Sequence, residues 1–250
     1  MFDINKMLQS ENTFYESFSS KIITDYGINY YNHLNPLSYD SNHAHILHIS
    51  ENPQQSIQDI VEFYQKRQLT PRIYGSFVDK ELELLQPSLE SSGFTVVIHD
   101  NTFLRFPTRQ IQQIDSKASA RRITQISDDI VELILTDEAA GDWEINVVKT
   151  VVKDRRFHFF GLFYLGKCVS IGSINIMDGY TRFDNVKTHI NYRRQHFGTR
   201  LIDYLVKYHA NISNNHLYIW SDNPFAVDLY KKIGFQEIEI DKPCWSAYLT

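Results

Sequence analysis

The chain is poor in cysteine, in long apolar runs and in net positive charge, and each shortage removes a class of function. Its two cysteines in 250 residues, Cys168 and Cys244, are too few for the disulfide framework of a small secreted protein. The opening Met1-Phe2-Asp3-Ile4-Asn5-Lys6 has no apolar leader core, so a cytoplasmic, reduced protein is expected. No apolar run approaches the roughly 20 residues of a membrane-spanning helix, and no membrane partner is expected. Lys and Arg number 25 against 30 Asp and Glu, a net charge of −5. The basic residues cluster only as pairs such as Arg121-Arg122, Arg155-Arg156 and Arg193-Arg194, which is no footprint for nucleic acid. The aromatic residues likewise lack the basic interleaving of a base-stacking surface.

Two tempting sites are weak. Cys168 follows the turn-like Gly166-Lys167 inside a strand-like stretch and reads as a small buried hydrophobe, as does Cys244 beside Pro243 and Trp245. A nucleophilic reading would need a histidine and a positive environment that the sequence does not show. In His43-Ala44-His45-Ile46-Leu47-His48, strand alternation puts His43 and His45 on one face and His48 on the other. No Cys or paired carboxylate completes a ligand set there, so no metal is expected.

What remains is ordinary globular material, 42% hydrophobic and 22% charged, enough for one large domain or two small ones. The polar, Gln-rich stretch from Phe106 to Ser119 reads as a linker with a boundary near residue 115, giving domains 1–114 and 115–250. Before it, residues 57–64 have helical spacing, 71–75 look like a strand, 83–92 like a helix, and Gly93-Phe94 opens another strand followed by one at 101–106. After it come a strand near Arg121, a helix start at Ser127-Asp128-Asp129, a hairpin over 157–177, and a strand from Tyr180 to His189. A helix from Thr199 to Ala210 carries Leu201, Ile202, Leu205 and Val206 on one face. Helix, strand, helix, Gly-Phe and two strands thus occur twice, with Gly93 leading to Phe103 as Gly234 leads to Trp245. An internal repeat follows.

Two segments carry the chemistry. Tyr192-Arg193-Arg194-Gln195-His196-Phe197-Gly198-Thr199 places an Arg pair and a Gly between a strand and a helix start, where unpaired backbone N–H groups make an anion site. Asn223-Pro224-Phe225-Ala226-Val227-Asp228-Leu229-Tyr230-Lys231-Lys232-Ile233-Gly234-Phe235 follows the strand Leu217 to Trp220 as a short helix ending in a Gly cap. Together they resemble the GNAT superfamily of N-acetyltransferases. Its phosphate turn is written Arg/Gln-x-x-Gly-x-Gly/Ala and its later helix Asn-x-x-Ala-x-x-Leu-Tyr-x-Lys-x-Gly-Phe. The second pattern is matched at every specified position; the first at Arg193 and Gly198, with His196 where the family usually has its first Gly.

The resemblance implies an α+β or α/β fold of tandem GNAT-like domains, each a mixed, mostly antiparallel twisted sheet flanked by helices. The N-terminal one would be a diverged or partial copy without a phosphate turn, since Ser50 to Ser56 offers neither Gly nor a basic residue and Glu51 would repel a pyrophosphate. It implies an acetyl-CoA co-substrate, no metal, and a primary amine of a small molecule or peptide as acceptor. Carried onto this sequence, the cofactor would meet Val186, Lys187 and Thr188 on the strand, whose backbone N–H groups polarise the acyl carbonyl. It would also meet Arg193, Arg194, Gln195, His196, Phe197, Gly198 and Thr199 at the turn, and Asn223, whose other reading is a helix N-cap with Pro224 at the first position. Tyr230 would protonate the departing thiolate or simply pack its ring. Asp184, placed by strand alternation on the face of Val186 and Thr188, is the first candidate general base, with Glu144 and Asp142 next; a solvated Asp184 with water as base is the other reading. A non-catalytic acyl-CoA-binding regulatory protein is the alternative function. A tRNA-dependent peptidoglycan transferase lacks support, because no helical arm or basic surface is present.

Overall fold

The computed structural model describes residues 1–107, 120–137 and 140–249; most of the Gln-rich linker, 108–119, lies outside them. The chain forms two compact units, Asp3–Asn101 with Ile240–Thr250, and Thr102–Glu239. Elements are numbered in chain order.

In the first unit α1 (Ile4–Phe14) starts on Asp3, whose carboxylate accepts from the Lys6 N–H (3.2 Å). Strands β1 (Ser20–Ile23), β2 (Gly27–Tyr31), β3 (His43–Ile46), β4 (Arg72–Tyr74), β5 (Phe94–His99) and the C-terminal β13 (Cys244–Leu249) form one sheet in the order β1-β2-β3-β4-β13-β5. Only the β3–β4 pair is parallel. Helices α2 (Pro53–Gln65) and α3 (Glu81–Ser91) cover one face. Ile57, Ile60 and Tyr64 recur at helical intervals on α2 and pack with Leu85 and Leu89 against Ile46, Ile73 and Trp245. On the opposite face His43 and His45 are buried among Tyr15, Tyr30 and Tyr74, with their Nε2 atoms 3.0 Å apart.

In the second unit β6 (Thr102–Phe106), β7 (Ala120–Arg122), β8 (Phe157–Tyr164), β9 (Lys167–Ile176), β10 (Tyr180–Thr188), β11 (His216–Ser221) and β12 (Gln236–Ile238) form a sheet ordered β7-β8-β9-β10-β11-β6-β12. Only β10 and β11 run parallel. One face carries α6 (Phe197–Ile212) and α7 (Pro224–Ile233), whose Leu201, Leu205, Val227 and Tyr230 pack with Phe183, Leu217 and Ile219. The other carries α4 (Asp128–Ile134) and α5 (Asp142–Val151), with Ile130, Leu133 and Val148 on Phe159 and Ile171. Ser127 caps α4 by position, but its hydroxyl donates to Asp129, and Asp129 accepts the Ile130 N–H (3.1 Å).

From the first strand of the β1–β2 hairpin onward, the two sheets repeat one order, with β1 matching β8, β3 matching β10, and β4 matching β11. The internal repeat is therefore a structural one, and its last strands are exchanged. Phe103 sits in β6 between β11 and β12, while Trp245 sits in β13 between β4 and β5. A cut at residue 115 assigns β6 and β13 by chain order; hydrogen bonding assigns each to the other sheet, and the units divide at 101/102 and 239/240. Among the described residues no helix is long and apolar enough to cross a membrane.

Burial lowers His45 to about 3, and burial together with the charge of His45 lowers His43 well below the ordinary range. Buried Glu81 is raised to about 7 by desolvation. The histidines, depressed in the fold, contribute stability that is present above their unfolded value of about 6.5 and lost as pH falls. Glu81, raised in the fold, contributes stability present below about 4.5 and lost as pH rises through about 7. Two protons against one leave a net loss on acidification. The melting temperature should therefore fall between pH 6.5 and 5, and Glu81→Gln should steepen that fall. A pH-independent melting temperature in calorimetry over that window would refute the burial argument.

Candidate active site

The second unit's site begins where a strand pair ends. Strands β10 and β11 are in register only at Tyr180–His216, Thr181–Leu217 and Arg182–Tyr218. Beyond Arg182, β10 continues along β9 and β11 continues along β6, so the two part company at their carboxyl ends. A gap of this kind in a parallel pair is where α/β sheets take ligands.

The β9 side of β10 contains a bulge. Asp184 faces Ser173 and Lys187 faces Ile171, so Asn185 and Val186 together oppose Gly172, and Asn185 takes a left-handed φ of 53°. The extra residue reverses the alternation. Val186 packs into the core beside α6, and Thr188 Oγ1 lies 3.1 Å from where a Cβ on Gly198 would stand. Asp184 and Lys187 turn to the α4–α5 face, and Lys187 Nζ meets Glu144 Oε1 at 2.6 Å. The expectation that Asp184 shares a face with Val186 and Thr188 is thereby corrected. Simple period-two counting fails across a bulge.

After β10 a 3₁₀ turn, Ile190–Tyr192, leads into the arginine-bearing segment. Arg193 folds back so that its Nε donates to the Thr188 carbonyl (3.1 Å), and Gln195 Nε2 donates to the Asn191 carbonyl (3.2 Å). Arg194 and His196 both adopt left-handed backbone, with φ of 61° and 63°. A Gly costs little at such a position, which accounts for the family's first Gly where His196 stands. Helix α6 then opens at Phe197, two residues before the Thr199 start that periodicity gives. Arg200 N–H is bonded to the His196 carbonyl (3.0 Å), so helical geometry leaves the N–H groups of Phe197, Gly198 and Thr199 without intrahelical acceptors. The Phe197 side chain is core, 6% exposed; its N–H is what it brings to the turn. With no acidic residue in the first turn of α6, the arrangement suits an anion.

Across the gap, α7 begins with Asn223, whose Oδ1 accepts the Phe225 N–H (3.0 Å), and ends at Gly234 with φ 118°. The cap reading of Asn223 is thus the one seen. Tyr230, 5% exposed, is on the buried side of α7. Burial raises its phenol above the ordinary value, and the Asp184 carboxylate adds to the shift, so Tyr230 and Asp184 are electrostatic neighbours across the parted strands. Asp184 itself accepts from Arg182 Nη2 (3.4 Å) and Asn185 Nδ2 (2.9 Å). Glu144 is tied to Lys187, which holds the Lys187 ammonium on the α4–α5 face.

Residue-type reasoning missed Ser170, whose hydroxyl bonds both the Lys187 carbonyl (2.9 Å) and Thr188 Oγ1 (2.9 Å) and fixes the end of β10. Only the strand register could have found it. Cys168 is buried with its thiol pushed up to about 12, first by burial and then by the Asp129 charge, which agrees with an inert reading. Among the described residues no group of three or more His, Cys, Asp or Glu could hold a metal ion.

Residues 124–235 match the family model described as "Acetyltransferase (GNAT) family". They are a GNAT acetyltransferase domain. Solved structures extend the likeness in fold to the whole chain. A GCN5-related N-acetyltransferase from Kribbella flavida has a TM-score of 0.66 at 14% identity, covering 99% of this chain and 96% of its own. A functionally unknown conserved protein from Staphylococcus epidermidis has a TM-score of 0.66 at 15% identity, covering 98% of each. A GNAT-family acetyltransferase from Colwellia psychrerythraea has a TM-score of 0.53 at 10% identity, covering 100% and 98%. No curated protein matches the chain. The fold is that of tandem GNAT-like domains, and the family of the second unit is one of acyl transfer.

Replacing Asn223 with Ala removes the cap of α7, and urea unfolding should show a loss of about 1 kcal/mol. No loss would mean that water replaces the Asn223 amide at no cost.

Proposed function

We propose that the protein moves an acetyl group from acetyl-CoA directly to a primary amine of a small molecule or peptide. The observation that carries this reading is the parted β10–β11 pair, with an anion-ready helix start on one side and, on the other, a buried Tyr230 that feels the Asp184 charge. The pyrophosphate would meet the N–H groups of Phe197, Gly198 and Thr199 with Arg193 and Arg194 nearby, and the pantetheine arm would lie along Val186 to Thr188 beside Asn223. The amine nitrogen attacks the thioester carbonyl carbon, the C–S bond breaks, and the sulfur takes the proton of the Tyr230 hydroxyl. Burial and the neighbouring Asp184 charge keep the phenol protonated before the reaction, so Tyr230 carries the proton that the departing sulfur takes, and the tyrosinate then regains one from water. The proton lost by the amine leaves through water toward Asp184, whose carboxylate Arg182 and Asn185 hold in place.

The first unit is proposed to have no second cofactor site. Where its corresponding strands end, Ser76 Oγ donates to the Ile46 carbonyl (3.1 Å), and both Glu81 carboxylate oxygens accept the Ser76 N–H (3.0 and 2.8 Å). A buried carboxylate occupies the place that a thioester arm would need.

Acetyl-CoA should raise the melting temperature of the intact chain. Thr199→Glu puts a carboxylate in the first turn of α6, which suits the helix dipole but repels a pyrophosphate. The variant should therefore be at least as stable without ligand and should lose the acetyl-CoA shift. An unshifted wild type would refute the co-substrate. For catalysis, Tyr230→Phe should keep acetyl-CoA affinity and lower turnover about ten- to a thousandfold, followed by release of CoA thiol with amines as acceptors. Equal turnover would return Tyr230 to a packing role, and binding without turnover by any amine would favour the regulatory alternative.

A further inference from the structure

A sheet edge left open offers unpaired backbone groups to any strand that can reach it, and sequences normally blunt such edges with charge or brevity. The two sheets have four end strands among the described residues, and three of them are short and charged. Strand β1 has four residues and carries Lys21, and β7 has three and carries Arg121 and Arg122. Strand β12 also has three, and its Glu237 is paired with Lys231. Strand β5 holds the place in the first sheet that β12 holds in the second, yet it differs in both length and charge. It runs for six residues, Phe94-Thr95-Val96-Val97-Ile98-His99, with no Lys, Arg, Asp, Glu or Pro among them. Its Ile98 is 68% exposed.

Where the free groups of β5 point follows from its neighbour β13. The Gly75 N–H donates to the Trp245 carbonyl (2.9 Å), and the Leu249 N–H donates to the Pro71 carbonyl (3.2 Å). Trp245 and Leu249 therefore bond toward β4, and by alternation Cys244, Ser246 and Tyr248 bond toward β5. Their partners there are His99, Val97 and Thr95. The N–H and C=O groups of Val96 and Ile98 are thus the ones aimed away from the sheet. Their side chains, opposite Ala247 and Trp245, share its apolar face.

An edge without charge selects neither an acidic nor a basic partner. What fits it is an uncharged extended strand that presents its own outward groups at the same spacing, and β5 meets that description itself. Turned antiparallel about Val97, a second β5 sets Val96 of each copy opposite Ile98 of the other, so outward groups meet outward groups. Thr95 then faces His99, Val97 faces Val97, and no charge is set against a like charge. The pairing closes under a two-fold axis and leaves neither β5 edge free. We infer that β5 is a self-association edge, through which two copies of the chain join their first-unit sheets into one. The acyl-transfer reading plays no part in it.

Two substitutions at Ile98 test the edge in different ways. Ile98→Pro deletes one outward N–H and no bond to β13, a position where an edge strand accepts proline. Ile98→Lys keeps every backbone group and puts a charge on the edge, the usual device against pairing. Sedimentation velocity on the intact chain at micromolar concentration should find wild type at twice the chain mass and both variants at the chain mass, with circular dichroism showing all three folded. Hydrogen exchange of wild type should slow in the 94–99 segment as concentration rises. A monomeric wild type, a dimer that survives in a folded variant, or exchange at 94–99 that ignores concentration would overturn the inference. So would a monomer whose β5 is protected only by an added extended peptide.

Discussion

Everything at the candidate site depends on how briefly β10 and β11 hold together. Three register pairs join them, and after Arg182 and Tyr218 each strand has only its outer neighbour. Had the pairing run on, backbone hydrogen bonds would have sealed the space between the strands. Instead the bulge at Asn185 and Val186 turns Val186 and Thr188 toward α6, while Asp184, just before it, stays on the face of α4 and α5. The two helices that follow the parted strands then start on opposite sides of one opening. This gives the proposed acyl transfer both an anion-binding end and an acid without any residue projecting from a long loop.

The first unit shows the same strand order put to a different end. Its parallel pair is only Ala44–Ile73 and His45–Tyr74, and the ends are bridged by Ser76 and filled by Glu81. The carboxyl is desolvated, which is why it is raised to about 7, and its bulk, held by the Ser76 N–H, fills the space whether or not it is charged. On the remaining face two histidines share one Nε2 contact among tyrosine rings. The topology thus sets where an opening forms, and the side chains decide whether it stays open.

The legible parts of this architecture were those governed by local chemistry. Asn223, Pro224 and Gly234 fix the start and stop of α7 by capping alone, and the apolar spacing of Leu201 to Val206 fixes the buried face of α6. The Gly-Phe repeat revealed two related sheets. It could not reveal that β6 and β13 are exchanged, because both copies carry the same strand pattern and either order satisfies it. The bulge was hidden for a similar reason: an extra residue opposite Gly172 leaves no mark in composition, yet it reverses every face assignment after it. Helix α1 and strands β1 and β2 carry weak periodicity, and the two strands are placed by pairing in turn, β1 with β2 and β2 with β3.

Strain is distributed unevenly, and its distribution follows the proposed chemistry. Among the described residues of the second unit the non-glycine positions at positive φ are Leu165, Asn185, Arg194 and His196, and all four lie on the turn, the bulge or the hairpin. In the first unit Phe77 and Lys80 do the same beside the Glu81 carboxyl, while Gln68 lies apart, in the turn after α2. Strained backbone persists only when its surroundings over-determine it. Around Glu81 those surroundings are built in, as two bonds from a backbone N–H to a buried acid. At the α6 turn the N–H groups of Phe197, Gly198 and Thr199 lack intrahelical acceptors, so the proposed pyrophosphate would supply there what the Glu81 carboxyl supplies in the first unit.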